Sequence, residues 1–234
     1  MFVKKNIIGV GVSDVSKEEV LEYIIQNIRK KTKKYYIVTP NPEILVMANN
    51  DFRYKKVLNS ADLALADGIG VILAGKLLGR PLKERIPGAD FVKILCEMIA
   101  KQPITVSFLG GRPKIAEMTA ECLRREYPGL KVRFAGADIP SDVNKLASDL
   151  LFVAFGSPKQ EFWIAENLNR LPIKAAMGVG GAFDFISGAV KRAPAWIRAL
   201  GLEWLYRLIR QPWRARRQLS LLTFAFLVIR ERLR

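Results

Sequence analysis

The chain has 234 residues, half of them hydrophobic, and its 38 Lys and Arg against 22 Asp and Glu give a formal net charge of +16. This length accommodates one large domain, or one domain and an appendage, with a sizeable core. The complete absence of histidine excludes imidazole bases, His-ligated zinc, and Ser-His or Cys-His catalysis.

The sequence contains no recognisable targeting or membrane-spanning segment. The apolar segment 7–12 follows two lysines but is interrupted by two glycines, so we predict no signal peptide. The longest apolar run, 219–229, would extend about 17 Å as a helix, whereas a bilayer core requires about 30 Å. Cys96 and Cys122 lack metal-site spacing, so we expect reduced thiols and a cytoplasmic protein.

Short β-branched runs alternate with helix-length amphipathic segments along most of the chain. This order is typical of an α/β protein with a Rossmann-like, mostly parallel sheet and flanking helices. In chain order, the predicted strands cover residues 7–12, 35–39, 63–66, 104–109, 132–135, 150–155 and 175–179. The predicted helices cover residues 16–29, 68–78, 89–101, 114–127 and 160–169, and a Ser16–Glu19 capping box begins the first.

The composition changes near residue 192, which predicts an α/β domain at 1–192 and a basic helical appendage at 193–234. From Lys191 onward, eleven Lys and Arg stand against two Glu, a net charge of +9. We expect Gln211-Pro212 to divide the appendage into two helices. Arginine-rich helices with tryptophan suit an anionic lipid surface, so we predict peripheral binding to the cytoplasmic face of a membrane. Without a membrane, the apolar run would serve as an interface between copies of the chain.

Three predicted strand-to-helix turns, residues 109–113, 155–161 and 179–184, are rich in glycine. In a parallel sheet they lie at the carboxyl edge, where open α/β folds bind ligands. Glycine admits a ligand close to the backbone, and the following helix presents free N–H groups to phosphate. No turn fits the dinucleotide fingerprint. Together they favour a nucleotide or phosphate site, although each alone is also consistent with a plain connection.

Polar residues follow two other predicted strands. Thr39 and Asn41 offer a hydroxyl and an amide to a sugar or base, although their spacing favours a helix cap at Asn41. Asp67 ends an apolar strand. It is either the cap of the next helix, which the residues alone favour, or a general base whose apolar neighbours raise its pKa.

Three further charged residues lie near turns. Arg85 is either a bidentate phosphate donor or a surface charge paired with Glu84. For Asp90 and Asp184, helix capping is favoured over catalysis.

Several of these segments, in this order, resemble the WecG/TagA/CpsF family of bacterial glycosyltransferases, glycosyltransferase family 26. The matching segments are TPNPE (39–43), ADGIG (66–70), RIPGAD (85–90), GSPKQE (156–161), GVGGAFD (178–184), RAP (192–194) and EWLYRL (203–208). The likeness extends from about Ile7 to Arg217, although Ser157 stands where many members have alanine. Members of the family move a sugar, with inversion at the anomeric carbon, from a UDP-linked donor to a polyprenyl-diphosphate-linked sugar. They act in teichoic acid, common antigen or exopolysaccharide assembly.

The resemblance implies a UDP-sugar-dependent hexosyltransferase similar to the N-acetylmannosaminyltransferases. Its donor sugar would be N-acetylmannosamine, the corresponding uronic acid, glucose or galactose. Asp67 would deprotonate the acceptor hydroxyl. The implied substrate-binding residues are Thr39, Asn41, Arg85, Gln160, Gly180, Gly181, Asp184, Arg207, Arg214 and Arg217. Thr39 and Asn41 would line the pocket, and Arg85 and Gln160 would contact the donor or its phosphates. Gly180, Gly181 and Asp184 would form the nucleotide side. Arg207, Arg214 and Arg217 would contact the diphosphate.

Nucleotide-sugar transfer must stabilise a departing diphosphate. The sequence has no Asp-x-Asp metal motif, so we predict no metal and no cofactor. Instead we expect arginine, lysine and helix N-termini to stabilise the charge as UDP leaves toward Arg85. Two alternatives are a nucleic-acid-binding protein, suggested by the basic charge, and a non-catalytic membrane scaffold. Confinement of the charge to one end, beside an apolar run, argues against nucleic acid.

Overall fold

The computed structural model describes residues 2–30, 33–210 and 215–233, without the side chains of residues 199, 207 and 215–218. A six-stranded parallel sheet lies at the centre of this part of the chain. The six strands are β3 (Tyr35–Val38), β4 (Leu63–Ala64), β5 (Thr105–Gly110), β6 (Lys131–Gly136), β7 (Ser148–Ala154) and β8 (Ile173–Gly178). Their spatial order is β4-β3-β8-β7-β5-β6. The prediction of a Rossmann-like parallel α/β sheet is confirmed.

Helices cover both faces of the sheet. In chain order they are α1 (Lys17–Lys30), α2 (Pro42–Asn50), α3 (Phe52–Ser60), α4 (Ile69–Leu77), α5 (Gly88–Ala100), α6 (Ile115–Glu126), α7 (Lys159–Asn167), α8 (Ala182–Ile186), α9 (Ala195–Ala199), α10 (Glu203–Arg210) and α11 (Ala215–Arg232). A 3-10 helix spans Val143–Leu146. The five predicted helices are all present, whereas α3 was not predicted.

Alternate side chains of the strands enter two cores. In β7, Leu150 and Phe152 face a core shared with α1, α5 and α6, whereas Leu151 and Val153 face a second core shared with α2, α3 and α4. A strand buried on both faces shows a continuous apolar run rather than an alternating one. This is why residues 150–155 were recognisable as a strand although they do not alternate.

The predicted strand at residues 7–12 is wrong. This segment belongs to an antiparallel hairpin of β1 (Lys4–Ile7) and β2 (Val10–Ser13), which is separate from the central sheet. The turn between them has positive φ angles at Ile8 and Gly9, of 44° and 87°. Glycine adopts such angles readily, but here an isoleucine accompanies it, so the turn signal was weak.

The C-terminal helix returns to the body of the protein. Phe224 and Val228 of α11 are buried and belong to the core that contains α2 and α4. The sequence did not predict this contact. α10 ends at Arg210 and α11 begins at Ala215, while the predicted break at Gln211-Pro212 lies outside the described residues. No helix in the described ranges is both long and apolar enough to cross a bilayer.

Candidate active site

A cavity of about 1670 Å³ lies at the carboxyl edge of the parallel sheet. The segments after β3, β4, β7 and β8 line it, as do α4 and α11. Each of the three predicted glycine turns also contributes to the wall, through Gly111, Gly156 and Gly180. The parallel topology thus brings together the turns that the sequence analysis placed at one edge.

Asp67 lies on the cavity wall just after β4. Its carboxylate accepts the backbone N–H of Gly88 at the start of α5. α4 has no side-chain cap, so the interpretation of Asp67 as a helix cap is wrong. Burial, and to a lesser extent Glu203, raise the pKa of Asp67, whereas the Gly88 N–H, Arg85 and Arg192 lower it, and the net pKa is about 6. The carboxylate is therefore ionised at neutral pH, with a pKa suited to a general base.

Thr39 and Asn41 also line the cavity, next to Asp67. The Thr39 hydroxyl donates to the Gly178 carbonyl at 3.4 Å, and the Asn41 side chain accepts the Ile44 N–H at 3.0 Å. Asn41 is thus the N-cap of α2, which confirms the capping interpretation. Its contact with the cavity is additional to that cap.

An ion-pair cluster joins α5 to the start of the appendage. Arg192 donates to both carboxylate oxygens of Asp90 and, through Nε, to Glu203 at 3.0 Å. Arg198 donates to Asp90 at 3.2 Å. The predicted capping role of Asp90 is therefore wrong, and Pro87 occupies the N-cap position of α5. The sequence analysis missed this cluster, because no local pattern links residues about a hundred positions apart.

Arg85 lines the cavity beside this cluster. Its Nη2 donates to the Arg198 carbonyl at 2.8 Å, so the first helix of the appendage orients the guanidinium. Glu84 instead accepts the backbone N–H of Lys17 at 2.7 Å and pairs with its ammonium group. The alternative of a surface pair between Arg85 and Glu84 is therefore wrong.

The Gly180–Gly181 turn forms another part of the cavity wall. The Gly180 N–H donates to the Gln160 side-chain carbonyl at 3.0 Å, and Gly180 has a φ of 50°. Asp184 pairs with Arg112 at 3.0 Å rather than capping α8. Arg112 lines the same cavity. The sequence analysis did not single it out, although it lies within the first glycine turn.

One wall of the cavity is apolar. It is formed by α4 and α11 and includes Leu73, Leu77, Phe224, Val228 and Ile229. Leu73, Leu77 and Ile229 are each more than half exposed, so this wall opens onto the protein surface. The lining of the cavity therefore combines a carboxylate and arginines with an apolar wall that reaches the protein surface.

Three of the predicted substrate-binding side chains are not described by the structure. Arg214 and the side chains of Arg207 and Arg217 lie outside the described residues. Among the residues that the structure describes, no three His, Cys, Asp or Glu side chains are grouped so that they would hold a metal ion.

A parallel α/β sheet with a glycine-lined cleft at its carboxyl edge is typical of enzymes that bind nucleotides or phosphates. The profile of the "Glycosyl transferase WecG/TagA/CpsF family" matches residues 5–234. The protein therefore belongs to the WecG/TagA/CpsF family and is a glycosyltransferase, as the motifs indicated. Neither the nucleic-acid-binding nor the scaffold alternative is supported.

Curated relatives share one name, N-acetylglucosaminyldiphosphoundecaprenol N-acetyl-beta-D-mannosaminyltransferase. The relative from Bacillus spizizenii is 38% identical over 215 residues, which cover 89% of this chain and 82% of the relative. The relative from Bacillus subtilis is 37% identical over 202 residues, covering 83% and 79%. The relative from Staphylococcus aureus strain MRSA252 is 31% identical over 214 residues, covering 88% and 84%.

Proposed function

We propose that the protein transfers N-acetylmannosamine from a UDP-linked donor to a polyprenyl-diphosphate-linked N-acetylglucosamine. The transfer inverts the anomeric carbon and contributes to a cell-surface polysaccharide or teichoic acid. The names of the relatives support the sugar and the acceptor. The observation that carries the chemistry is the Asp67 carboxylate of raised pKa, which lies in a cavity with an apolar mouth.

The reaction is a single displacement. Asp67 accepts the proton of the acceptor hydroxyl while that oxygen attacks the anomeric carbon of the donor. The bond from this carbon to the β-phosphate oxygen breaks, and UDP leaves with the electron pair. Arg85, Arg112 and N–H groups of the glycine turns other than those of Gly111 and Gly180, which are bonded within the protein, would stabilise the departing diphosphate. Preorganised donors of this kind often provide the largest catalytic effect.

The polarity of the cavity suggests how the acceptor lies. A lipid-linked acceptor is polar at its sugar, anionic at its diphosphate and apolar along its prenyl chain. The cavity offers matching surfaces, with Asp67 and Arg85 for the polar part and the wall formed by α4 and α11 for the prenyl chain. We therefore place the acceptor hydroxyl at Asp67 and the prenyl chain toward Leu73 and Ile229. Arg207, Arg214 and Arg217 remain our proposed contacts for the acceptor diphosphate.

We propose that residues 193–234 form an appendage that associates with a membrane through its outer surface. Trp196, Leu222 and Phe226 are 66%, 71% and 62% exposed, and exposed arginines accompany them. Apolar side chains bordered by cations fit the headgroup region of an anionic leaflet. We place the protein at the cytoplasmic face of the membrane, and without lipid the same surface would join two copies of the chain.

An assay of UDP release tests the reaction. The substrates are UDP-N-acetylmannosamine and a short-chain prenyl-diphosphate-linked N-acetylglucosamine, with and without EDTA. We expect UDP release that depends on the acceptor and is insensitive to EDTA. Release no faster with the acceptor than without it would contradict the proposed transfer, and loss of activity in EDTA would contradict stabilisation by protein cations alone.

A vesicle sedimentation experiment tests the membrane surface. The variant L222S/F226S removes two exposed apolar side chains from α11, and M118S makes a matched change on α6, where Met118 is 42% exposed. We expect L222S/F226S to bind anionic vesicles at least tenfold more weakly, since each apolar side chain contributes more than 1 kcal/mol when buried. M118S should bind like the wild type. Equal binding by both variants would place the membrane contact elsewhere.

A further inference from the structure

A buried carboxylate ends one of the three glycine turns and is linked through Gln160 to another. Glu161, in the first turn of α7, is 1% exposed. Its Oε1 accepts the Ser157 hydroxyl at 2.8 Å and the Gln160 side-chain amide at 2.7 Å, and its Oε2 accepts the Tyr54 hydroxyl at 3.1 Å. Burial raises the pKa of Glu161, and these donors oppose that effect. Three donors directed at one carboxyl group match its ionised form, which only accepts hydrogen bonds.

The charge on Glu161 determines the orientation of the Gln160 amide. Gln160 donates through Nε2 to Glu161, and its Oε1 accepts the Gly180 N–H at 3.0 Å. The opposite orientation would set the amide oxygen against the carboxylate and the NH₂ group against the Gly180 N–H, so both bonds would be lost. The amide also lies close to β8, because a Cβ added at Gly178 would be 3.0 Å from Nε2.

These hydrogen bonds connect elements that are distant in the sequence. Tyr54 belongs to α3 and is 107 residues from Glu161, while Gly180 begins the turn on the opposite side of Gln160. Tyr54 of α3 is therefore linked, through the buried side chains of Glu161 and Gln160, to the Gly180 N–H in the cavity wall. Both ends of the Gln160 amide form hydrogen bonds within the protein, so Gln160 would affect a bound ligand through the Gly180 turn.

We propose that Glu161 is a positioning residue for the nucleotide donor. Its carboxylate, held by Ser157 and Tyr54, orients the Gln160 amide, and that amide holds the Gly180 turn in the shape that receives the donor. The identity of the donor rests on the function proposed above, whereas the effect on the turn does not.

The substitution E161Q tests this role with little change in shape. The amide introduced at position 161 has one acceptor oxygen in place of two and no charge, so the charge-assisted bond that fixes the Gln160 amide is weakened or lost. We expect UDP to bind about tenfold more weakly, the size of effect that follows from losing a hydrogen bond to a charged group. The KM for the acceptor should stay within twofold. Y54F leaves two of the three donors in place and should weaken UDP binding about threefold.

D149N provides a matched control. Asp149 lies near the start of β7, at the amino edge of the sheet and outside the cavity lining. It accepts the backbone N–H and the hydroxyl of Thr105 at 2.8 and 2.9 Å, and it pairs with Lys174 at 2.7 Å. D149N therefore disturbs a comparable carboxylate network and should lower thermal stability without changing UDP affinity.

Two measurements decide the proposal. Calorimetric titration with UDP gives the affinity of each variant, and amide hydrogen exchange reports on Gly180. Weaker UDP binding with faster exchange at Gly180 in E161Q, and neither change in D149N, would support the positioning role. UDP affinity within twofold of wild type, or unchanged exchange at Gly180, would overturn it. If the wild type itself fails to bind UDP, the proposed donor is wrong, and exchange at Gly180 then decides the role of Glu161.

Discussion

The substitution D67N separates the catalytic role of Asp67 from its effect on stability. Burial raises the pKa of this carboxyl from 3.8 to about 6, and a shift of about two units corresponds to about 3 kcal/mol. Because the folded state disfavours the ionised form, this cost is absent below about pH 4, grows between about pH 4 and 6, and is constant above that range. Asparagine removes the charge yet keeps an oxygen for the Gly88 N–H. D67N should therefore be more stable than wild type at pH 8, by up to about 3 kcal/mol, but not at pH 4.

The same substitution should lower turnover by about 10²–10⁴, since it removes the general base. In the wild type, the rate should be half-maximal near pH 6, reach a plateau above about pH 7 and be about tenfold below that plateau at pH 5. Urea unfolding at pH 4 and pH 8, together with UDP release, measures both effects. D62N is a suitable control, because Asp62 accepts the Tyr36 N–H outside the cavity. Turnover of D67N within a few fold of wild type, or lower stability of D67N at pH 8, would refute the reasoning.

Three further substitutions test the walls of the site. R85K keeps the charge but loses the planar fork that also bonds the Arg198 carbonyl, so the KM for the donor should rise about tenfold in steady-state assays; an unchanged KM would show that Arg85 does not contact the donor. D90N removes the shared acceptor of two arginines at a partly exposed site, so unfolding should cost about 1–2 kcal/mol less and amide exchange in α9 should accelerate. Slow exchange in α9 of D90N would show that other contacts hold the appendage. F224A removes a buried aromatic ring between α11 and the body, and a loss of about 3 kcal/mol in urea unfolding is expected; full stability would mean that α11 packs loosely.

The sequence predicted much of the architecture because local periodicity reflects burial. A strand buried on both faces is a short apolar run, and a packed helix repeats its apolar side chains about every 3.6 residues. Parallel strands connected through helices place all their carboxyl ends at one edge, so Thr39, Asp67 and the glycine turns were expected near one another. The hairpin at residues 4–13 was missed because its apolar stretch resembles a single strand.

Only the tertiary structure decided which alternative applied to each charged residue. Asp67 proved to be a half-buried cavity carboxylate rather than a cap, because its carboxylate accepts the N–H of Gly88 at the start of α5. Asp90 pairs with Arg192, 102 residues away, and Glu161 bonds Tyr54, 107 residues away. The packing of α11 on α2 and α4 likewise has no local signature. Sequence patterns record which side chains are buried, whereas the partners of a buried charge, and hence its pKa, depend on how distant elements pack together.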